Sequence, residues 1–558
     1  MVPTDHPLTS PTNWAGIASN TEFWSQLAQT LLPGYVNTCR WFAGKARQQT
    51  GFAAKTVHTI PLPDGDVAYL LILEATYADG IPELYQLPLS FIADSIANSL
   101  PFQLADVPDK GRIGEVALDH HAGVLIDAIY DERFRRALFT NIYTDQVLPQ
   151  PDGQLTFHKG KGLEEGDDTL SSRVLPVDSS NSAMVFGEKY FMKLYRKLFQ
   201  ETNPEVDMVA FLTDKSSFDH IPAFGGSIVW QHPDAAPSDG ADITLGMVQR
   251  MVPNDKDSWM QTGDYLNDFL YAVPQRLFAI REDVFEKVEL LGKRTGEMHC
   301  ALYKPNADAD FAPEPITDEY RAFMIKRLED LLERRYALLI DNYTKLDSQA
   351  QRLAWVFMEA KEMIETFIDD FRKRPLGSLR IRIHGDYHLG QVLATRNDFV
   401  IIDFEGEPES SITERKIKHS PLKDVAGMIR SYHYAVSAKL FNSSETDDLD
   451  PEHLQRVSDR WFYLIRDTFM NAYQDVFGTP HPLFKNNNEL NFLLLIYLLE
   501  KAVYELGYEI SYRPSWVKIP LRGIIDVIRE IEKILLSEGE IEADIPLLQT
   551  GLLQAKNL

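Results

Sequence analysis

The chain has 558 residues, 44% hydrophobic and 25% charged, enough for roughly two or three structural units around sizeable cores. It carries 82 acidic against 56 basic residues, a formal charge of −26, which excludes nucleic acid or an anionic membrane surface as the expected partner. Cys39 and Cys300 form no CxxC pair or disulfide framework, the start of the chain has no basic and apolar leader, and the longest apolar run, Phe492–Leu499, is too short for a bilayer, so the expected location is the cytoplasm.

Residues 1–14, rich in Pro and Thr, read as a loose tail. A helix is expected near Phe23–Leu32, and strands at Val67–Glu74, Glu83–Ser90 and Gly123–Ala128, giving a small unit that closes near 110–140. Further strands are expected at Arg173–Val177, Ala183–Phe186, Lys189–Tyr195, Ala223–Trp230 and Ile243–Arg250. Pro204 starts a helix that runs through Leu212. From about 258 the pattern turns amphipathic and helical: Glu282–Leu302, Asp318–Asn342, Ser348–Arg372, Leu454–Phe477, Asn488–Tyr508 and Ile524–Ser537. Ser443–Asp448 reads as an exposed acidic loop. The domain reading is 1–120 as a cap, 121–252 as a β-rich unit and 253–558 as a helical lobe that contains one hairpin, 381–403.

That hairpin is the most informative stretch. His384-Gly385-Asp386 is followed by Gln391, and an apolar strand Phe399–Ile402 ends in Asp403. A loop aspartate, an amide just after it and an aspartate at a strand end suit phosphoryl transfer: a base for a hydroxyl, and oxygen ligands for Mg²⁺. Upstream, Lys193 lies inside an alternating strand, where an ammonium can meet nucleotide phosphates. Ser180, Asn181 and Ser182 occupy the preceding turn and could cradle phosphate. Glu205 or Asp207, in the first turns of the next helix, could orient the lysine, and Met247–Pro253, with Gln249 and Met251, could serve an adenine edge from its backbone. No Walker motif, no G-x-G-x-x-G and no G-x-S-x-G occurs, and Gly385 argues against a helix carrying His384 and His388 as zinc ligands.

The string His384–Gln391 resembles the catalytic loop of the aminoglycoside-phosphotransferase-like kinases, which usually carry Asn at the position of Gln391. With Gln there, and with Ile402–Pro408, Arg40–Lys45, Ser420–Ser431 and Tyr504–Trp516, the chain looks like the maltokinase family, whose members make maltose 1-phosphate. The resemblance implies an α+β, bilobal protein-kinase-like fold with an N-terminal cap. It also implies ATP and Mg²⁺ as cofactors and maltose as substrate, in trehalose and glycogen metabolism. Its further implications are a monomer or homodimer and association with a trehalose synthase. Carried onto this chain it makes Asp386 the catalytic base, Gln391, Asp403 and Glu405 the metal ligands, and Lys193 the phosphate lysine. His388, Arg430, Glu505, Tyr508, Arg513 and Trp516 supply the polar and planar groups a sugar pocket needs. The family usually has Glu where this chain has Asp207, so Glu205 is the alternative partner of Lys193. Segments near 150–170 and 440–450 are extra length. The competing readings are a kinase for glucosamine or an aminoglycoside, and an inactive partner of trehalose synthase.

Overall fold

The structure, a computed structural model, describes residues 8–95, 104–176, 180–231, 242–254, 256–273, 278–441, 450–478 and 481–539. It forms two compact units: 1–215 with 221–252 and 411–413, and 216–220 with 253–410 and 414–558.

In the first unit the elements run β1 (Leu8–Ser10), α1 (Thr21–Thr38), β2 (Gln49–Pro61), β3 (Val67–Tyr77), β4 (Gly80–Ala93), β5 (Arg112–Leu118), β6 (His121–Asp127) and α2 (Glu132–Tyr143), followed by β7 (Val147–Gln150), β8 (Gly153–Lys159), β9 (Ser172–Val174), β10 (Ser182–Phe186), β11 (Tyr190–Leu194), β12 (Lys197–Leu198), α3 (Pro204–Lys215), β13 (Phe224–Gln231) and β14 (Asp242–Arg250). One sheet has the order β1-β5-β6-β4-β3-β2, with β12 paired to β4; the other runs β7-β8-β13-β14-β11-β10-β9. The apolar run of β3 is nearly unbroken because both its faces are covered. Tyr69, Leu71 and Leu73 share a core with Phe23, Trp24 and Leu27 of α1. Ala68, Leu70 and Ile72 share another with Phe134 and Leu138 of α2 and with Phe157, Met184, Leu245 and Val248 of the second sheet. A fully buried guanidinium also joins the two sheets. Arg196 meets Asp127 at 2.5 Å, donates to Ser182 Oγ at 2.7 Å and lies 5.0 Å over the Trp41 ring. Gln86 of β4 donates to the carbonyl of Tyr195 at 2.5 Å.

The second unit contains β15 (Lys256–Asp257), α4 (Ser258–Ala272), α5 (Glu282–Leu302), β16 (Glu314–Pro315), α6 (Asp318–Asn342), α7 (Ser348–Glu359), α8 (Lys361–Lys373), β17 (Leu379–Arg380), β18 (Val392–Ala394), β19 (Phe399–Ile401), α9 (Ile412–Arg415), α10 (Leu422–Phe441), α11 (Pro451–Asp475), α12 (Asn487–Tyr512) and α13 (Lys518–Glu538). Helix α12 is its central element: Leu490 to Ile510 is buried at most positions, with α6, α10 and α13 packed around it. No described helix is long and apolar enough to cross a membrane.

Several expectations need correction. Leu8–Ser10 is not a loose tail but pairs parallel to β5, and Trp14 is buried beneath it. Sheet one continues through β6, so it runs past the boundary expected at 120. The single helix expected over Ser348–Arg372 is broken at Ala360, whose ψ of 2° leaves the α-helical range and re-aims α8. Strand β2, helix α2 and the β7–β8 hairpin went unpredicted, and β8 adds the last of these to the second sheet through β13. The acidic loop 443–448 and the turn at 232–240 lie outside the described residues, as does most of the extra segment at 440–450.

Candidate active site

In the first unit, β11 alternates as its sequence requires. Tyr190, Met192 and Leu194 are buried and Lys193 points to the half-buried face. Its ammonium meets both carboxylate oxygens of Glu205, at 2.8 and 2.9 Å, and Tyr195 Oη donates to the same carboxylate at 2.8 Å. Glu205 is fully buried at the start of α3, where its backbone N–H bonds Asn203 Oδ1. The partner of Lys193 is therefore Glu205. Asp207 lies two residues on and accepts from Thr202 Oγ1 at 3.3 Å. Two other expected groups of this unit have partners within the protein. Ser182 Oγ is buried and receives Arg196, so it serves the sheet rather than a phosphate; Ser180 is exposed and Asn181 half-exposed. The Met251 N–H donates to the Lys189 carbonyl at 2.8 Å, which takes it away from an adenine edge, and Gln249 sits inside the ladder between β11 and β13.

In the second unit, the loop from Ile383 to Gln391 is held from below. Asp424, near the start of α10, accepts the backbone N–H of His384 at 2.8 Å and of Gly385 at 2.9 Å. His299 of α5 contacts the same carboxylate at 3.2 Å and Tyr473 at 3.0 Å. Burial works to raise the Asp424 pKa, but the His299 hydrogen bond, the nearby histidines and the loop amides outweigh it and hold the carboxyl below its ordinary value. Tyr387 bonds Thr295 at 2.9 Å, and Leu389 N–H bonds Ser431 at 3.1 Å. Gly385 has φ +86°, a conformation glycine adopts without strain, and this turns Asp386 away from its buried neighbours. Gly427 is needed for another reason: a Cβ there would stand 2.5 Å from the Tyr387 carbonyl oxygen.

The result is a carboxylate on a braced loop. Asp386 Oδ1 lies 3.6 Å from Lys501 Nζ, and Oδ2 lies 3.9 Å from His388 Nε2. Lys501 also meets Glu407 at 3.5 Å. Burial disfavours the charge on Lys501, but Glu407, Asp386 and Glu505 outweigh it and raise its pKa. Burial lowers the pKa of His388. Gln391 Nε2 donates to Asp403 Oδ2 at 2.8 Å, and Ile402 N–H bonds the Gln391 carbonyl, so the amide and the second aspartate are locked side by side. Asp403 has φ +67°, rare for a residue with a side chain and commoner at functional sites. Asp403, Gln391 and Glu405 offer hard oxygen donors, the set Mg²⁺ prefers.

Asp386 and Tyr387 line a cavity of about 590 Å³ together with Arg327, Arg334 and Arg335 of α6, Glu407 and Glu409, Lys423 and Gly427 of α10, and Glu500, Lys501 and Tyr504 of α12. None of the six expected sugar residues is part of this wall. Arg430 is 3% exposed and bound to Glu505 at 2.6 Å and to His433 at 2.8 Å, an interior ion pair between α10 and α12. Tyr508, Arg513 and Trp516 cluster further along, with the Arg513 guanidinium 5.2 Å over Tyr508 and 4.8 Å over Trp516. Sequence reasoning missed Lys501, Tyr504, Glu407 and Lys423. The i, i+3 spacing of Lys501 and Tyr504, just after the apolar run Phe492–Leu499, was the available signal.

Comparison with known proteins agrees with this architecture. Residues 35–131 match the family model of the maltokinase N-terminal cap domain. A glucosamine kinase of Streptacidiphilus jiangxiensis is 24% identical over 368 residues, 64% of this chain and 74% of that one. One of Mycolicibacterium smegmatis is 26% identical over 351 residues, 62% of this chain and 77% of that one. A solved glucosamine kinase in complex with glucosamine, ADP and inorganic phosphate superposes with a TM-score of 0.59, at 19% identity over 90% of this chain and 99% of that one. The fold is therefore that of a kinase-like phosphotransferase. On it the chain carries a maltokinase N-terminal cap domain.

Proposed function

We propose that this protein transfers the γ-phosphoryl group of ATP to the anomeric hydroxyl of maltose, giving maltose 1-phosphate and ADP. The observation that carries the reading is Asp386, braced through Asp424 and presented to a cavity large enough for a disaccharide, since ligand pockets run from about 300 to 1,000 Å³. Asp386 takes the hydroxyl proton as the oxygen attacks the γ-phosphorus and the bond to the β-phosphate oxygen breaks. Lys501, 3.6 Å away, holds that carboxylate in place. Lys193, oriented by Glu205, neutralises the α and β phosphates as a point charge. Gln391, Asp403 and Glu405 would hold Mg²⁺, which when bound offsets charge on the phosphate oxygens.

A second reading has its own support. Glu407, Glu409, Glu414 and Glu500 line the cavity, and carboxylates suit an amino sugar such as the glucosamine of the relatives' names. ADP release with maltose, glucose and glucosamine separates the two. Maltose-dependent turnover is expected; turnover with glucosamine and none with maltose would replace the first reading by the second.

A further inference from the structure

Helix α12 passes the reacting group at Lys501, and its last turns are exposed to solvent. Lys501 contacts Asp386, and its ammonium lies 5.4 Å over the ring of Tyr504, which lines the cavity. Tyr508 and Tyr512 follow at intervals of four, so Lys501, Tyr504, Tyr508 and Tyr512 occupy one stripe of the helix. Exposure rises along it: Lys501 and Tyr504 are half-buried, Tyr508 is 42% exposed and Tyr512 is 72% exposed. The rings of Tyr508 and Tyr512 stand 4.9 Å apart, and Arg513 is stacked between Tyr508 and Trp516. From Tyr504 to Tyr512 the helix rises about 12 Å, longer than one glucose ring. Core packing does not account for two large aromatic rings in solvent beside a charged plane. Such a surface presents flat apolar faces next to polar donors, the pairing that the alternating apolar faces and hydroxyl edges of a pyranose chain require.

We infer that the Tyr504–Tyr508–Tyr512 stripe continues the sugar site outward and binds the non-reducing end of α-1,4-linked glucose chains longer than maltose. The inference rests on the proposed phosphorylation at the anomeric carbon. That reaction seats the reducing end at Asp386, so each added glucose unit extends away from the reacting hydroxyl. Tyr504 stays with the first two rings. Tyr508, Tyr512 and the Arg513–Trp516 pair meet the next ones.

The test is steady-state kinetics by ADP release with maltose, maltotriose and maltotetraose, on the full chain and on Tyr512→Ala and Tyr512→Phe. For the parent chain, KM is expected to fall about tenfold from maltose to maltotetraose, the change one aromatic stacking contact supports. Tyr512→Ala brings the two KM values together, and Tyr512→Phe, which keeps the flat ring, restores the gap. The same KM for every chain length, or a gap that survives Tyr512→Ala, overturns the inference and leaves maltose phosphorylation standing. A parent chain that turns over no maltose removes the underlying reading instead. Sedimentation of the same variants covers another occupant: dimers that dissociate in Tyr512→Ala would assign the stripe to a second copy of the chain and overturn the sugar assignment.

Discussion

Asp386 and Arg430 are both charged, both face polar partners and both looked functional in the sequence, yet their surroundings assign them different work. Asp386 contacts a lysine at 3.6 Å and opens on a cavity, so Asp386→Asn should lower kcat by about 10² to 10⁴, the usual contribution of a positioned base, while leaving the melting temperature nearly unchanged. Full activity in that variant would end its assignment as the base. Arg430 is sealed inside, so Arg430→Met strands the Glu505 carboxylate and should cost about 3 kcal/mol or more of stability in urea unfolding. If the main effect were instead a raised KM in a stable protein, Arg430 would return to the substrate site. The residue types were legible in the sequence. Which of them was walled in was not, because that depends on the neighbouring helices.

At the scale of elements, the loop that carries Asp386 is set by the helices behind it. Gly427 of α10 leaves room for the Tyr387 carbonyl, so Gly427→Ala should push the loop away and cut kcat on the order of 10²-fold. An alanine variant with unaltered kinetics would show that the loop is positioned otherwise. A different element contact governs pH behaviour. His58 of β2 is fully buried edge-on against Trp230 of β13, with both ring nitrogens unbonded among the described residues. Burial lowers its pKa from 6.5 to about 4, against a weaker upward pull from Asp152. The folded protein thus keeps His58 neutral where the unfolded chain takes up a proton. Its stability is complete above about pH 6.5 and declines as the pH falls toward 4, by roughly 3 kcal/mol in total. Chemical unfolding across that range should show the slope, and His58→Leu should remove most of it. The strands and helices themselves were largely legible. Among the exceptions, β2 and the break at Ala360 lack the alternation or the Pro and Gly signals from which such features are read.

At the scale of the whole first unit, the cap is not a detachable module. Arg196, Asp127, Ser182 and Trp41 meet in one buried knot, and β12 adds to the cap sheet from within the β-rich region. Asp127→Ala should therefore cost about 3–5 kcal/mol by leaving Arg196 unpaired. Hydrogen exchange should then show β3 and β11 losing protection together; separate loss would mean that the two sheets unfold independently. The sequence by itself determined the order of β-rich and helical parts, the Asp386–Gln391–Asp403 constellation and Lys193, because motifs of fixed local spacing and strong periodicity survive in one dimension. Only the tertiary structure decided that Glu205 rather than Asp207 holds Lys193, that Ser182 serves a buried arginine, and that Lys501 and Tyr504 line the cavity while Arg430 does not. Those outcomes depend on which side chains from distant segments reach the same few ångströms, and on which of them lose contact with water when they do.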